Sequence, residues 1–384
     1  MIALTLINNT KSYLLNSQRN SMKNVSFNLG FILLYSFALL ATVDERGFTK
    51  SLDDIQVGEE TLKYSGAGVH IAVIEAAFFP HVAINDNIIA GYDAQQDKPL
   101  LSFDCSGRSL HGVHVVGTIC ARPLVGSRFG GLAYGAKIIP IINANNMDNV
   151  WKCPEKYLAA LQFAIESDAK IISMSQPLFA QESIRPLIKE GVQRGKIFVV
   201  AIGNNGYDKM EMPDYNVDNN VIGALASDEE IKPGFVVVGA LSKSSGKSDS
   251  PKSNGYHFQR WQLERGVGGS DYYSKDFKGN FIWAPGENIV SCGWSKESGS
   301  NYRVNSGTSM ATPLVTSVIA LLIEKYPESC SADIVAMLMS CPPSASEYEK
   351  KGAIGEWPIL NCAHLFGDPN RDTDATDDNE QQNM

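Results

Sequence analysis

The sequence predicts an α/β fold of three layers, a mostly parallel sheet with helices on both faces. Three observations carry this. Short apolar runs rich in Val and Ile alternate with segments of helical period, the pattern of strand–helix–strand units. Connections between the runs are long enough for crossover helices. Polar residues close several runs, where open parallel sheets place their ligands. In order, Val69 to Glu75 is a buried strand ending in a carboxylate, and Lys137 to Ile142 is a second. Tyr157 to Ser167 is a helix, with Leu158, Leu161, Ala164 and Ile165 on one face. Lys170 to Ser175 is a strand, Glu182 to Arg194 a helix and Ile197 to Ala201 a strand. Phe235 to Ala240 is a further strand, and Ser309 to Tyr326 and Ser331 to Ser340 are the last helices. Glu75, Ser175 and Asn204 fall at or just past strand ends. Residues 243–280 are rich in Lys, Ser and Gly and read as a surface insertion. There is no internal repeat.

The chain has 384 residues, 44% hydrophobic and 20% charged, with a net charge of −9. It has ample material for a core and no basic stripe, which argues against nucleic-acid binding. The 13-residue apolar run Leu29 to Ala41 follows Lys23 and has small residues at Ala38 and Ala41. That is the length of an export-signal core and short for a membrane span. Residues 1–41 are therefore expected to be a signal with an upstream extension, and Met22 would start a compact one. An uncleaved signal is the one expected membrane contact. Residues 42–65 are expected to be a short segment without a folded prodomain, 66–366 the main domain, and 367–384 an acidic disordered tail. Of seven cysteines at least one must be a free thiol, and the pairing of the others is not legible. No Cys/His spacing suggests zinc, so no metal or cofactor is expected. Gly239 followed by Gly246-Lys247-Ser248 imitates a phosphate loop, but six residues separate the glycines where the motif needs four.

Three motifs carry chemistry. In Asn305-Ser306-Gly307-Thr308-Ser309-Met310-Ala311-Thr312-Pro313, Gly307 permits a tight turn and Ser309 falls in the first turn of an apolar helix. Unpaired N–H groups and the positive dipole end there favour developing negative charge. A Ser/Thr N-cap before a buried helix is the other reading of this string. In His111-Gly112-Val113-His114-Val115-Val116-Gly117-Thr118, a neutral His111 suits a general base. His114, three residues on, is expected to be structural. In Ala201-Ile202-Gly203-Asn204-Asn205-Gly206, an Asn amide on a Gly turn is a donor for an oxyanion, or an ordinary Asn/Gly turn.

Taken together, the order carboxylate, histidine, asparagine, serine resembles the subtilisin-like serine peptidases. The resemblance runs from about Gly66 to Cys362 and includes Ile171 to Ser175 and Trp283-Ala284-Pro285-Gly286. It implies a subtilisin-like domain, Ser309 as nucleophile, His111 as general base and acid, and Asn204 as oxyanion donor. It implies that Ser175, Gln176 and Pro177 wall a groove pairing with extended peptide, and that Gly203 lines the pocket for the residue before the scissile bond. The chain departs from the family at Glu75, which stands where an aspartate is usual and adds a methylene. Asp93 and Asp104 are other carboxylates, but neither ends the first strand. Ser175-Gln176-Pro177 replaces the usual Ser-Leu-Gly, and Pro177 has no N–H to offer a substrate. Leu314 and Ser317 replace a usual His and Gly. The family's main calcium loop corresponds to Arg122 to Phe129, which has no carboxylate or amide ligand, so no calcium is expected there. The reading is an exported, monomeric serine endopeptidase with a Glu75–His111–Ser309 triad, acting on peptide or protein through an acyl-enzyme. The alternative is a pseudoenzyme of the same fold that binds peptides with little or no turnover.

Overall fold

The structure is a computed structural model. It describes residues 51–101, 109–123, 130–144, 153–176, 178, 183–206, 209, 217–244, 257–260, 269–273, 276–343 and 357–367. Residues 1–41, expected to be a signal, nearly all of 367–384, expected to be an acidic tail, Asp104, Cys105, Pro177, residues 124–129 and the Gly246-Lys247-Ser248 string lie outside the described residues.

The strands are β1 His70–Glu75, β2 Gly91–Asp93, β3 Lys98–Leu100, β4 Lys137–Ile142, β5 Ile171–Met174, β6 Ile197–Ala201, β7 Phe235–Ser244, β8 His257–Arg260, β9 Phe281–Pro285, β10 Ile289–Ser295 and β11 Gly299–Asn305. The helices are α1 His111–Cys120, α2 Pro154–Glu166, α3 Ile184–Gln193, α4 Val217–Ala226, α5 Thr308–Lys325, α6 Ser331–Met339 and α7 Cys362–Phe366.

The main sheet runs β3-β2-β4-β1-β5-β6-β7-β8, and β9 also pairs with β7. The pairs β2–β4, β4–β1, β1–β5, β5–β6, β6–β7 and β7–β9 are parallel, while β2–β3 and β7–β8 are antiparallel. Side chains alternate across each strand. Ile71 and Val73 of β1 join a core with α1, α5 and α6. Ala72 and Ile74 join a second core with α2, α3 and α4. Both faces are therefore covered, which is why these strands read as continuous apolar runs. The three-layer expectation holds.

The centre of the first core is α5. It is long and apolar enough to cross a bilayer, but 78% of it is buried within the fold. Next to it, β10 and β11 form a separate antiparallel hairpin packed on α1. Gly117 makes that contact close, since a Cβ there would sit 2.7 Å from Cys292 Sγ. Two expectations need adjustment. α2 starts at Pro154, whose fixed φ suits the first helical position. The segment after β7 is not all surface, because Ser270 and Asp271 are completely buried.

Candidate active site

β1, in the interior of the sheet, ends at Glu75 and leaves its side chain 0% exposed at the carboxyl end of the strands. Its Oε2 lies 2.8 Å from Nδ1 of His111, the first residue of α1. The longer arm of glutamate thus reaches the ring directly. The fit depends on small neighbours. A Cβ on Gly112 would stand 2.2 Å from the Ala77 carbonyl oxygen and 3.2 Å from Glu75 Cβ, so only glycine lets α1 start this close to β1. Ala76 and Ala77 are buried alongside. Glu75 Oε1 is buried with no hydrogen-bond partner among the described residues.

His111 is 19% exposed at its side chain. Burial pulls its pKa down, but the Glu75 charge and hydrogen bond outweigh that and raise it above the usual 6.5. His114 behaves differently. It is 1% exposed, its Nε2 lies 3.0 Å from the Ile289 carbonyl oxygen, and burial pushes its pKa down to about 4. It stays neutral and ties α1 to the hairpin, a structural role.

Ser309 is the second residue of α5 and partly exposed. The helix opens at Gly307, whose φ of 144° is strained for any residue with a side chain. Pro313, four residues after Ser309, offers no N–H to the Ser309 carbonyl. Ser309 Oγ donates to the Ser175 carbonyl at 2.8 Å. None of the hydrogen bonds among the described residues joins Ser309 to His111, so the hydroxyl must turn before it can give its proton to the ring.

Asn204 sits three residues past β6. Its Oδ1 accepts from Thr308 N at 2.9 Å and from Thr308 Oγ1 at 3.0 Å. The backbone N–H of Thr308 is only a donor, which fixes the orientation of the amide. The end that remains is Nδ2, also only a donor. Thr308 is a site residue that the sequence reading passed over. The signal was its place directly before Ser309.

The other expected residues are distributed as follows. Ser175 is 1% exposed and supplies its carbonyl to Ser309. Gln176 is also 1% exposed, and its Nε2 donates to the Ile74 carbonyl at 3.2 Å. Its side chain braces the end of β1. Gly203 has φ 118°, and a Cβ there would meet Asp271 Oδ2 at 2.5 Å. Asp93 caps its own turn, accepting from Gln95 N and Gln96 N at 2.9 and 3.1 Å. Among the described residues no cluster of His, Cys, Asp and Glu could hold a metal ion.

A carboxylate-bound imidazole, a hydroxyl at a helix N-terminus and a fixed amide donor can together support acyl transfer. The chain is similar to several known proteases. It is 27% identical over 272 residues to fervidolysin of Fervidobacterium pennivorans, covering 69% of this chain and 36% of that protein. It is 26% identical over 324 residues to the serine protease AprX of Bacillus subtilis, covering 78% and 66%. An extracellular protease of Xanthomonas campestris is 25% identical over 305 residues, covering 72% of this chain and 47% of that one. The chain thus spans between about a third and two thirds of the length of these relatives. The crystal structure of fervidolysin superposes with a TM-score of 0.62 at 21% identity, covering 83% of this chain and 45% of that one. The A-subunit of an AB5 toxin from E. coli superposes with a TM-score of 0.61 at 18% identity, covering 82% and 97%. These superpositions establish a subtilisin-like fold. Residues 66–355, three quarters of the chain, match the Peptidase S8 subtilase family, and the chain is a member of it.

Proposed function

We propose that the protein is an exported serine endopeptidase that cleaves peptide bonds through an acyl-enzyme. The observation that carries this is the 2.8 Å contact between buried Glu75 and His111 Nδ1, which turns the other ring nitrogen into the acceptor. Ser309 Oγ leaves the Ser175 carbonyl, gives its proton to His111 Nε2 and bonds to the scissile carbonyl carbon. The negative oxygen of the tetrahedral intermediate takes a hydrogen bond from Asn204 Nδ2. The C–N bond breaks as His111 returns the proton to the leaving amine. Water repeats the sequence on the ester, and a carboxylic acid leaves. Glu75 keeps its negative charge throughout and stabilises the charged ring. Ser175, Gln176 and Pro177 bind the substrate chain through backbone groups, and Gly203 lines the pocket for the residue before the scissile bond. Export rests on the residues 29–41 signal pattern and on relatives named as extracellular proteases. The substrate is peptide or protein, and the protein acts as a monomer.

The test is steady-state hydrolysis of an unstructured chromogenic peptide mixture by wild type, Ser309→Ala and His111→Ala. Each substitution is expected to lower kcat by about 10⁶. Wild-type turnover that survives both substitutions would refute the reading. A second reading is a peptide-binding pseudoenzyme, favoured by the Ser309 hydroxyl resting on Ser175 rather than on His111. Under it the wild type binds peptide with no burst and no turnover.

A further inference from the structure

The turn that carries Asn204 is clamped by residues 269–272, at the end of the Lys- and Gly-rich segment. Asn205 and Gly269 form a parallel bridge. Gly269 N donates to the Asn204 carbonyl at 3.0 Å, and Asp271 N donates to the Gly203 carbonyl at 2.9 Å. The Asp271 side chain returns the contact. Its Oδ1 accepts from Asn205 N at 3.0 Å, and its Oδ2 accepts from Asn205 Nδ2 at 3.3 Å. The peptide units on both sides of Asn204 are therefore held by one short segment.

Asp271 is a fully buried carboxylate. Lys209 balances it, with Nζ 2.9 Å from Oδ2 and side chains 4% and 0% exposed. Lys209 N also donates to the Tyr272 carbonyl at 2.9 Å. Ser270 Oγ anchors the segment to β7, accepting from Ala240 N at 2.9 Å and donating to the Asp271 carbonyl at 2.8 Å. A buried ion pair contributes little net stability compared with apolar residues of the same volume. Stability alone does not call for one here. What it supplies is direction, because a carboxylate can accept both donors of Asn205 while the ammonium neutralises it.

We propose that Asp271, charge-balanced by Lys209, is a positioning residue that fixes the Asn204 turn and so aims Asn204 Nδ2 at the developing oxyanion. The role rests on the peptidase reading above. Asp271 touches no reacting atom and acts only through Asn204. A donor displaced by a fraction of an ångström still permits substrate binding but loses part of its effect in the transition state. The signature is thus a fall in kcat with KM unchanged.

The test is a double-mutant cycle on kcat and KM with Asp271→Asn, Asn204→Ala and the combination, together with thermal melts. Asn204→Ala removes the donor and is expected to cost about 10²- to 10³-fold in kcat. Asp271→Asn is expected to cost at least tenfold in kcat, with KM within about twofold, and to have no further effect once Asn204 is gone. Asp271→Asn/Lys209→Met removes both buried charges together. It is expected to fold and melt near wild type while kcat stays as low as in Asp271→Asn, which covers the case where the single variant does not fold. Either kcat at the wild-type level in a folded Asp271 variant, or losses that multiply in the Asn204→Ala background, would overturn the positioning role alone. A wild type that hydrolyses no peptide and takes no serine-directed label would overturn the peptidase reading and the positioning role with it.

Discussion

Glu75→Gln is the substitution that separates a working triad from an imitation of one. Gln keeps the size and reach of Glu75 but has no charge. In the structure Oε2 is 2.8 Å from His111 Nδ1 and the carboxylate is 0% exposed. When His111 takes the Ser309 proton, the two charge centres stand about 4 Å apart, worth about 4 kcal/mol at an effective dielectric near 20. At 1.36 kcal/mol per tenfold, that is about 10³ in rate. The amide of Gln can also present an N–H to Nδ1, which selects the wrong tautomer. A comparable substitution in another serine triad cost about 10⁴ in kcat. The expected loss is therefore about 10³- to 10⁴-fold in kcat, with KM little changed. Glu75→Asp keeps the charge but retracts it by up to about 1.5 Å, one C–C bond, so a smaller loss of about 10- to 100-fold is expected. The assay is steady-state hydrolysis of a chromogenic peptide by all three proteins, with circular dichroism to show that each is folded. Glu75→Gln within tenfold of wild type would show that another group orients His111.

Further expectations follow from the same geometry. The raised His111 pKa favours the protonated ring, which cannot act as a base, so kcat/KM should fall as pH drops below a midpoint above 6.5. The pH–rate profile of wild type reads this midpoint, and a midpoint below 6.5 would contradict the Glu75 contact. Gly307→Ala forces a side chain onto φ 144°, and a loss of about 1–3 kcal/mol of stability is expected by chemical denaturation. An unchanged denaturation midpoint would mean that the α5 entry is not strained. No metal-binding cluster occurs among the described residues, so EDTA should leave the melting temperature unchanged. A drop of several degrees would reveal a site in the remaining loops.

The parts of the site that could be read from sequence are those set by local rules. Glu75, Ser175 and Asn204 were legible because each ends or follows a run too apolar to be anything but a buried strand. Ser309 was legible because Gly307 and the apolar helix behind it mark a helix N-terminus. The hairpin of β10 and β11 escaped because Ser291, Gly293, Ser295 and Ser300 dilute its alternation, and its partner is α1, distant in sequence. α4 escaped because Asp218, Asn219 and Asn220 mask its helical period. Asp271 and Lys209 were not legible at all. They are separated by α4, β7 and β8, and nothing near either one marks a buried ion pair. Gln176 reads as a groove residue by position, yet its side chain is turned into the fold to reach the Ile74 carbonyl. Side-chain direction at a strand end is decided by the neighbouring strand, which local sequence does not reveal.

The central claim is that Ser309 is a nucleophile activated by His111. The most direct measurement is labelling of the purified protein with a serine-directed fluorophosphonate, followed by mass spectrometry of the modified peptide. One label is expected, on Ser309, absent from Ser309→Ala and strongly slowed in His111→Ala. No label on a folded wild type, or a label on a different residue, would contradict it.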